Sequence, residues 1–182
     1  MPFINYKTLK NQYPTGQMSD NISRLQELDA YHCLLSGSAE QAAAVKRRVS
    51  GLPADFLAWL EACDGGMLFD TAMLTTKSYD SELDVIFEAY GDFYNAGLRE
   101  VANIKNEWFV FAVAVHSDLY FFDMGKKDGR VYQWDVEEER VYAKWETFED
   151  WITDQIHEAM PLVADGLIKP NLIKMELINN ER

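Results

Sequence analysis

The residues best suited to metal binding or acid–base catalysis are three histidines: His32, His116 and His157. A metal site needs converging ligands, usually a close pair on one element plus a third from elsewhere. Each histidine stands alone here, because the chain has no HExxH, HxH or cysteine–histidine spacing. We therefore expect no metal site. We expect His32 on a helix, packed or exposed, and His157 beside the negative C-terminal half of the last helix.

The sequence His116-Ser117-Asp118 contains the three residue types of a hydrolase triad. Consecutive residues of a strand point to opposite faces, so neighbours in sequence cannot assemble such a triad there. Serine and aspartate are also ordinary turn residues. The pattern therefore predicts a tight turn between two strands rather than a nucleophilic site.

Cofactor and redox chemistry find no support in the remaining motifs. Cys33 and Cys63 lie in apolar, helix-like contexts outside any CxxC, which predicts buried reduced thiols and leaves a disulfide open. No GxxxxGK[ST], GxGxxG or GxSxG pattern occurs. We expect no cofactor and no catalytic residue.

Carboxylates are the remaining chemical feature, and they are numerous around one segment. Trp134 and Asp135 precede the run Glu137-Glu138-Glu139, and Glu146, Glu149 and Asp150 follow closely. We interpret them as a partner-binding acidic rim, with Trp134 as an exposed anchor. The alternatives are that the glutamate run is a solvated hairpin turn and that Trp134 belongs to the core.

The overall charge supports a protein partner and excludes two other classes. The 182 residues carry 17 lysines and arginines against 30 aspartates and glutamates, a formal net charge of -13. Such a field repels phosphate backbones and anionic lipids, so we expect no direct nucleic-acid or membrane binding. It favours fast encounter with a basic partner, although many cytosolic proteins are simply acidic. The first residues lack an apolar signal-peptide core and no apolar run approaches ~18 residues, which predicts a cytoplasmic protein.

The sequence pattern of the first half of the chain predicts mainly helices. We expect residues 1–18 to be irregular, a helix from Ser19 or Asp20 up to Gly37, and a helix opened by a Ser38–Gln41 capping box. Another helix follows Leu52-Pro53 and is predicted to stop at Asp64-Gly65-Gly66. Residues 67–75 are predicted to form one strand, and residues 81–99 a helix.

The second half predicts a sheet and a closing helix. β-Branched and aromatic runs at 108–115, 119–124, 131–136 and 140–145 are joined by short connections, which favours an antiparallel meander. Thr147 is a candidate N-cap for a helix whose apolar face carries Phe148, Trp151, Ile152 and Ile156. The prediction is one α+β domain over residues 19–160, with residues 161–182 as an extension docked on it.

Three separated stretches together resemble the SUKH superfamily. The first is GLPADFLAWL at 51–60, followed by Asp64-Gly65-Gly66. The second is the set of strands over 109–136, where Asp123 ends one strand and GRVY at 129–132 starts the next. The third is WETFEDWI at 145–152, similar to the closing helix of that family. The resemblance covers residues 38–158 and gives Leu52, Pro53, Asp64, Gly65 and Gly66 a structural role.

The resemblance implies a binding scaffold rather than an enzyme. Bacterial members of the superfamily are mostly immunity proteins that neutralise toxins, often nucleases, and fungal members are regulatory proteins. The expected function is therefore binding a cognate, basic toxin domain and occluding its active site. The alternatives are a regulatory or scaffolding protein with endogenous cytosolic partners and, least supported, a small hydrolase. The chain departs from the family at His116-Ser117-Asp118, where a glycine–aspartate turn is common, so subfamily and partner stay open.

Overall fold

The structure, a computed structural model, describes residues 3–75, 103–114 and 116–171. The α-helices in these ranges are α1 (Tyr6–Gln12), α2 (Gln17–Glu27), α3 (Ala39–Arg48), α4 (Ala54–Ala62) and α5 (Phe148–Ala164). The strands are β1 (Cys33–Ser36), β2 (Cys63–Leu68), β3 (Thr71–Met73), β4 (Trp108–Ala114), β5 (Leu119–Asp123), β6 (Val131–Asp135) and β7 (Arg140–Trp145). A short 3-10 helix, Asp29–Tyr31, precedes β1.

The seven strands form one antiparallel sheet whose spatial order is the chain order, β1 to β7. Every neighbouring pair in the described residues is antiparallel, so the sheet is a meander with β1 and β7 at its edges. The predicted α+β class and the four predicted strands of the second half are confirmed. The predicted helix at 81–99 and Val115 lie outside the described residues.

Helices α4 and α5 cover one face of the sheet through an aromatic core. The ring of Phe56 in α4 lies 5.0 Å from Phe122, 5.2 Å from Phe148 and 5.4 Å from Phe111. Trp151 of α5 meets Phe111 edge-on at 5.0 Å. These rings are fully or almost fully buried, so their apolar area is the main stabilising contribution on this face.

The opposite face of the sheet carries a second aromatic layer. Trp108 stacks on Phe121 at a centroid distance of 4.0 Å, and Trp134 meets Trp108 edge-on at 5.0 Å. Trp134 is only 8% exposed. It therefore belongs to the core, and the expectation that it is an exposed anchor is wrong.

Two predicted helix N-caps are confirmed. The Ser38 Oγ accepts a hydrogen bond from the Gln41 backbone N–H at 3.2 Å, and the Thr147 Oγ1 accepts one from the Asp150 N–H at 3.0 Å. Asp55 adds a bond between helices that the sequence did not suggest. Its Oδ1 accepts from the Phe56 N–H in α4 at 2.9 Å, and its Oδ2 accepts from the Phe148 N–H in α5 at 3.2 Å. One carboxylate thus serves the N-terminal turns of two helices.

The N-terminal third differs from the prediction. Residues 6–12 form α1, capped by Asn5, where an irregular segment was expected, and α2 ends at Glu27. Residues 33–36, predicted to be helical, form β1 instead. Cys33, Leu34 and Leu35 are all buried, as in a strand covered on both faces. Pairing with β2 overrides the helical spacing of Leu28, Tyr31 and Leu35.

Asp64-Gly65-Gly66 does not end α4 as predicted but lies inside β2. Both glycines have positive φ, 79° and 111°. A Cβ on Gly65 would lie 2.4 Å from the Leu74 carbonyl oxygen, and one on Gly66 would lie 2.2 Å from the Cys33 carbonyl oxygen. The glycines are therefore required by close approach of neighbouring backbone. The strand predicted over 67–75 is in fact the end of β2, a turn at Phe69-Asp70 and β3.

The closing helix is longer than expected. Phe148, Trp151, Ile152 and Ile156 are fully buried, but α5 continues through Pro161 to Ala164. After it, the Asn171 N–H donates to the Ala30 carbonyl oxygen at 2.7 Å, and Ile168 packs partly buried against the core. Residues 165–171 thus contact the body of the protein.

Candidate interaction surface

Three hairpin turns meet at one end of the sheet, because alternate connections of a meander lie on the same side. They are the turn at Asp70 between β2 and β3, the turn containing residues 116–118 between β4 and β5, and residues 136–139 between β6 and β7. We call this the hairpin end. Each of the three turns contributes at least one carboxylate to it.

Tyr142 of β7 contacts the β4–β5 turn at the hairpin end. Its hydroxyl donates to the Asp118 Oδ2 at 2.8 Å, and the Gln133 Nε2 donates to the same oxygen at 3.2 Å. Gln133 and the Tyr142 hydroxyl also contact each other directly. The Tyr142 side chain is nevertheless 49% exposed. It therefore presents an aromatic ring to solvent while its hydroxyl is fixed by Asp118.

The charges around Tyr142 are negative. Desolvation raises its pKa first, followed by the hydrogen bond to Asp118 and by the charges of Asp118, Asp135 and Glu158. The pKa of the Glu158 carboxyl is itself raised, by desolvation and then by the nearby carboxylates Asp154 and Asp70. We call this group the acidic face; its members are Asp70, Asp118, Asp135, Asp154 and Glu158. The negative charges of these carboxylates thus act on Tyr142 and on Glu158 in addition to desolvation.

The predicted glutamate run extends the acidic face at the tip of the β6–β7 hairpin. Glu137, Glu138 and Glu139 are all exposed. The Asp135 Oδ1 accepts from the Glu138 N–H at 2.8 Å, which shapes the turn. Glu138 pairs with Arg140 at 2.5 Å across an exposed surface, so its charge is partly compensated. Glu137 and Glu139 are the tip carboxylates that extend the field outwards.

The other predicted acidic residues lie elsewhere. Glu146 follows the last residue of β7, so the whole strand, about 17 Å at the usual rise per residue, separates it from the hairpin tip. Its carboxylate pairs with Arg130 at 2.8 Å. Glu149 and Asp150 lie in the first turn of α5, where Asp150 accepts from the Thr147 hydroxyl. The expectation that all these carboxylates share one rim is therefore wrong.

The motif residues pack α3 and α4 against the sheet. Leu52 is 7% exposed, and Asp64 is fully buried, with its Oδ2 accepting from the Gln41 Nε2 at 2.7 Å. Pro53 lies beside the β5–β6 loop, because a Cβ on Gly129 would be 3.9 Å from its ring. These contacts account for the residues without any role in binding a partner.

The chemically reactive residues are engaged in structural contacts. Exposed His116 lies in the predicted turn, and Asp118 is held by Tyr142 and Gln133, so no triad forms between them. His32 lies in the connection before β1 rather than on a helix, and it is buried. Its Nε2 is 2.9 Å from both the Tyr6 hydroxyl and the Leu25 carbonyl oxygen. The His157 Nε2 lies 2.7 Å from the Arg24 guanidinium.

The described residues contain no disulfide, metal-binding cluster or membrane-spanning helix. Cys33 pairs with Met67 and Cys63 with Ser36, at opposite ends of the β1–β2 ladder, so no disulfide joins these two buried thiols. Burial raises the pKa of the Cys63 thiol. No group of three or more histidine, cysteine or acidic side chains within residues 3–75, 103–114 and 116–171 is placed to hold a metal ion. No helix in the same ranges is long and apolar enough to cross a bilayer.

Sequence reasoning missed Tyr142, Asp118 and Glu158. A signal for the first two is present in the sequence, since a meander places the turns at 116–118 and 136–139 at the same end. The sequence gives no signal for Asp70, because its pattern predicts one strand over residues 67–75. Glu158 required knowledge of which way α5 crosses the sheet.

The fold and this surface define an α+β protein that exposes the acidic face at the hairpin end. The described residues assemble no catalytic group of side chains. The model of the SMI1 / KNR4 family (SUKH-1) matches residues 38–154, well over half of the chain. The chain therefore belongs to this family, whose members are generally non-catalytic and act through protein interaction. None of the curated proteins and none of the solved structures matches the chain.

Proposed function

We propose that this protein is an immunity protein, which binds a cognate toxin with a basic active-site groove and blocks access to it. The observation that carries the proposal is the acidic face beside exposed Tyr142 and Val141 at the hairpin end. A surface of carboxylates around an exposed aromatic side chain suits a positively charged groove of another protein better than it suits a small-molecule ligand.

The charges support a partner that normally binds nucleic acid. A nuclease groove is lined by lysine and arginine side chains that neutralise phosphates. The Asp70, Asp118 and Glu158 carboxylates would take the place of those phosphates. The net charge of -13 would accelerate encounter with such a partner and make association weaken with salt.

Occlusion needs no catalytic group in the immunity protein. The binding surface must only be preformed, and the Tyr142–Asp118–Gln133 hydrogen bonds hold it in place before a partner arrives. Ordering side chains in advance lowers the entropic cost of association. We place this interaction in the cytoplasm, where a toxin that attacks nucleic acid would act.

The test is co-expression with the product of the adjacent open reading frame, scored first for toxicity of that product alone and then for cell survival and co-purification. The Glu137→Lys/Glu139→Lys variant reverses two exposed tip charges and should lose protection. The matched control Glu27→Lys/Glu40→Lys makes the same charge change on exposed positions of α2 and α3, and should protect. If wild-type protein neither protects nor co-purifies with the toxin, the immunity role is wrong; stable capture of an endogenous basic protein instead would favour a regulatory role.

A further inference from the structure

We propose that the partner binds by adding an extended strand to the outer edge of β7, which pairs with no further strand of the described residues, and that the added strand carries lysine or arginine side chains. The inference rests on the proposed function, because it specifies how the acidic face would be engaged. It adds a binding mode in which backbone hydrogen bonds give affinity and the flanking charges select the partner.

The two edges of the sheet differ in how they are closed. The β1 edge is covered by the N-terminal segment: Phe3 bridges Leu35, the Ile4 N–H donates to the Leu34 carbonyl oxygen at 2.9 Å, and the Ser36 hydroxyl donates to Phe3. Within the described residues, β7 is the terminal strand and pairs only with β6. Its outer backbone N–H and C=O groups therefore form a row that another strand can pair with.

The side chains of β7 suit an added strand. Val141 is 43% exposed and Tyr142 is 49% exposed. They lie on opposite faces of the sheet, because Val141 pairs with Trp134 whereas the Tyr142 hydroxyl contacts the neighbouring Gln133 side chain. An added strand would thus meet an apolar side chain on each face. The six residues of β7 span about 17 Å, enough for a short specific strand.

Charge selects the occupant among strands that could pair here. Asp118 accepts a hydrogen bond from the Tyr142 hydroxyl, the charges of Asp135 and Glu158 act on the same hydroxyl, and Glu137 and Glu139 are exposed at the tip. A second copy of this chain would bring the same negative charges to the contact, at -13 per copy. A strand that carries lysine or arginine side chains would instead be attracted by the carboxylates at the same positions. The register irregularity opposite Gln133 and the exposed Lys144 disfavour indiscriminate pairing along the edge.

A short synthetic peptide that alternates lysine and valine and is as long as β7 is the first probe. Hydrogen–deuterium exchange of the full chain should show at least tenfold slower exchange at outward β7 amides when the peptide is bound. The same peptide with alternate backbone nitrogens methylated, and a glutamate–valine peptide, should give no slowing. Unchanged exchange with the lysine peptide, or equal slowing with the glutamate peptide, overturns the inference.

Proline variants of β7 give a second test that does not depend on charge. Ala143 and Lys144 are neighbours in the ladder, so one of their N–H groups faces β6 and the other faces outwards. Ala143→Pro and Lys144→Pro should therefore differ in melting temperature. The variant that keeps the wild-type melting temperature should bind the peptide at least tenfold more weakly.

The two proposals can fail separately. If the stable proline variant binds the peptide as wild type does, or if wild-type β7 amides become protected by self-association at rising concentration, strand addition is wrong. In that case Glu137→Lys/Glu139→Lys would still test the acidic face on its own. If both the charge-reversed and the wild-type proteins fail to protect against the toxin, the proposed function fails, whatever the peptide does.

Discussion

Replacing Asp55 by alanine should destabilise the protein, because one carboxylate serves two helix N-termini. Its two oxygens accept from the Phe56 N–H at 2.9 Å and the Phe148 N–H at 3.2 Å. The first bond lies within α4, and the second ties α4 to α5. No other side chain is shown accepting from either of these two N–H groups in the described residues.

The expected loss follows from the hydrogen bonds and helix dipoles. Removing a side-chain acceptor at a helix N-terminus costs about 1 kcal/mol, and the favourable charge near each dipole contributes some tenths more. Two termini give about 2 kcal/mol in the free energy of unfolding. For a chain of this size that lowers the melting temperature by about 4–8 °C. The partial exposure of Asp55 keeps the value at the low end for bonds to a charged group.

Calorimetry and urea unfolding at neutral pH would measure the loss. Asp55→Asn retains one carbonyl acceptor without the charge and should lose about half as much. Glu40→Ala removes an exposed first-turn carboxylate of α3 and should change stability by less than about 0.5 kcal/mol. If Asp55→Ala and Glu40→Ala have the same small effect, the bond between α4 and α5 does not contribute as described.

Three further outcomes are expected. Gly66→Ala should prevent stable folding, at a cost above about 3 kcal/mol, because the new Cβ would overlap the Cys33 carbonyl oxygen. Gly16→Ala should cost only about 1 kcal/mol, because Gly16 has φ 88° but no atom within 4 Å of the new Cβ. Equal soluble yields of the two variants would contradict this prediction. The raised pKa of the Glu158 carboxyl means that the native state loses stability as the pH rises and Glu158 ionises. Glu158→Gln should therefore raise the free energy of unfolding at pH 7 by a few tenths of a kcal/mol and have no effect below about pH 4. A difference in melting temperature that does not change with pH would refute this prediction. Thr147→Ala should cost about 1 kcal/mol and Thr147→Ser almost nothing, measured by urea unfolding; equal losses would show that the hydroxyl is not the cap.

The sheet of the second half could be predicted because its signals are local. The strands β4 to β7 are dense in β-branched and aromatic residues and are joined by short turns, so pattern and topology agree. The caps Ser38 and Thr147 were likewise predictable, since a capping side chain bonds within its own helix.

The N-terminal third could not be predicted in the same way. Leu28, Tyr31 and Leu35 continue a helical spacing into β1, and only the pairing of β1 with β2 decides its conformation. Gly65 and Gly66 look like a helix stop, but the requirement for glycine comes from the Cys33 and Leu74 carbonyls, which are distant in sequence. A single sequence does not carry those contacts.

The candidate site was predicted in part. The acidic character of the β6–β7 hairpin follows from the run Glu137-Glu138-Glu139, and the exposure of these residues agrees with it. The separation of Glu146 from that run follows only from the length of β7. The role of Tyr142 depends on its bond to Asp118, a residue of another hairpin, and so on the register of the sheet.

The most direct test of a non-catalytic, binding role is a titration of the toxin that co-expression with the adjacent open reading frame identifies. A fixed amount of active toxin is mixed with increasing amounts of the purified chain, and the remaining toxin activity is measured. We predict a linear fall that ends at equimolar protein, with Glu137→Lys/Glu139→Lys displaced to far higher concentrations. Loss of all activity at a small fraction of equimolar protein, increasing with time, would show turnover and contradict stoichiometric occlusion.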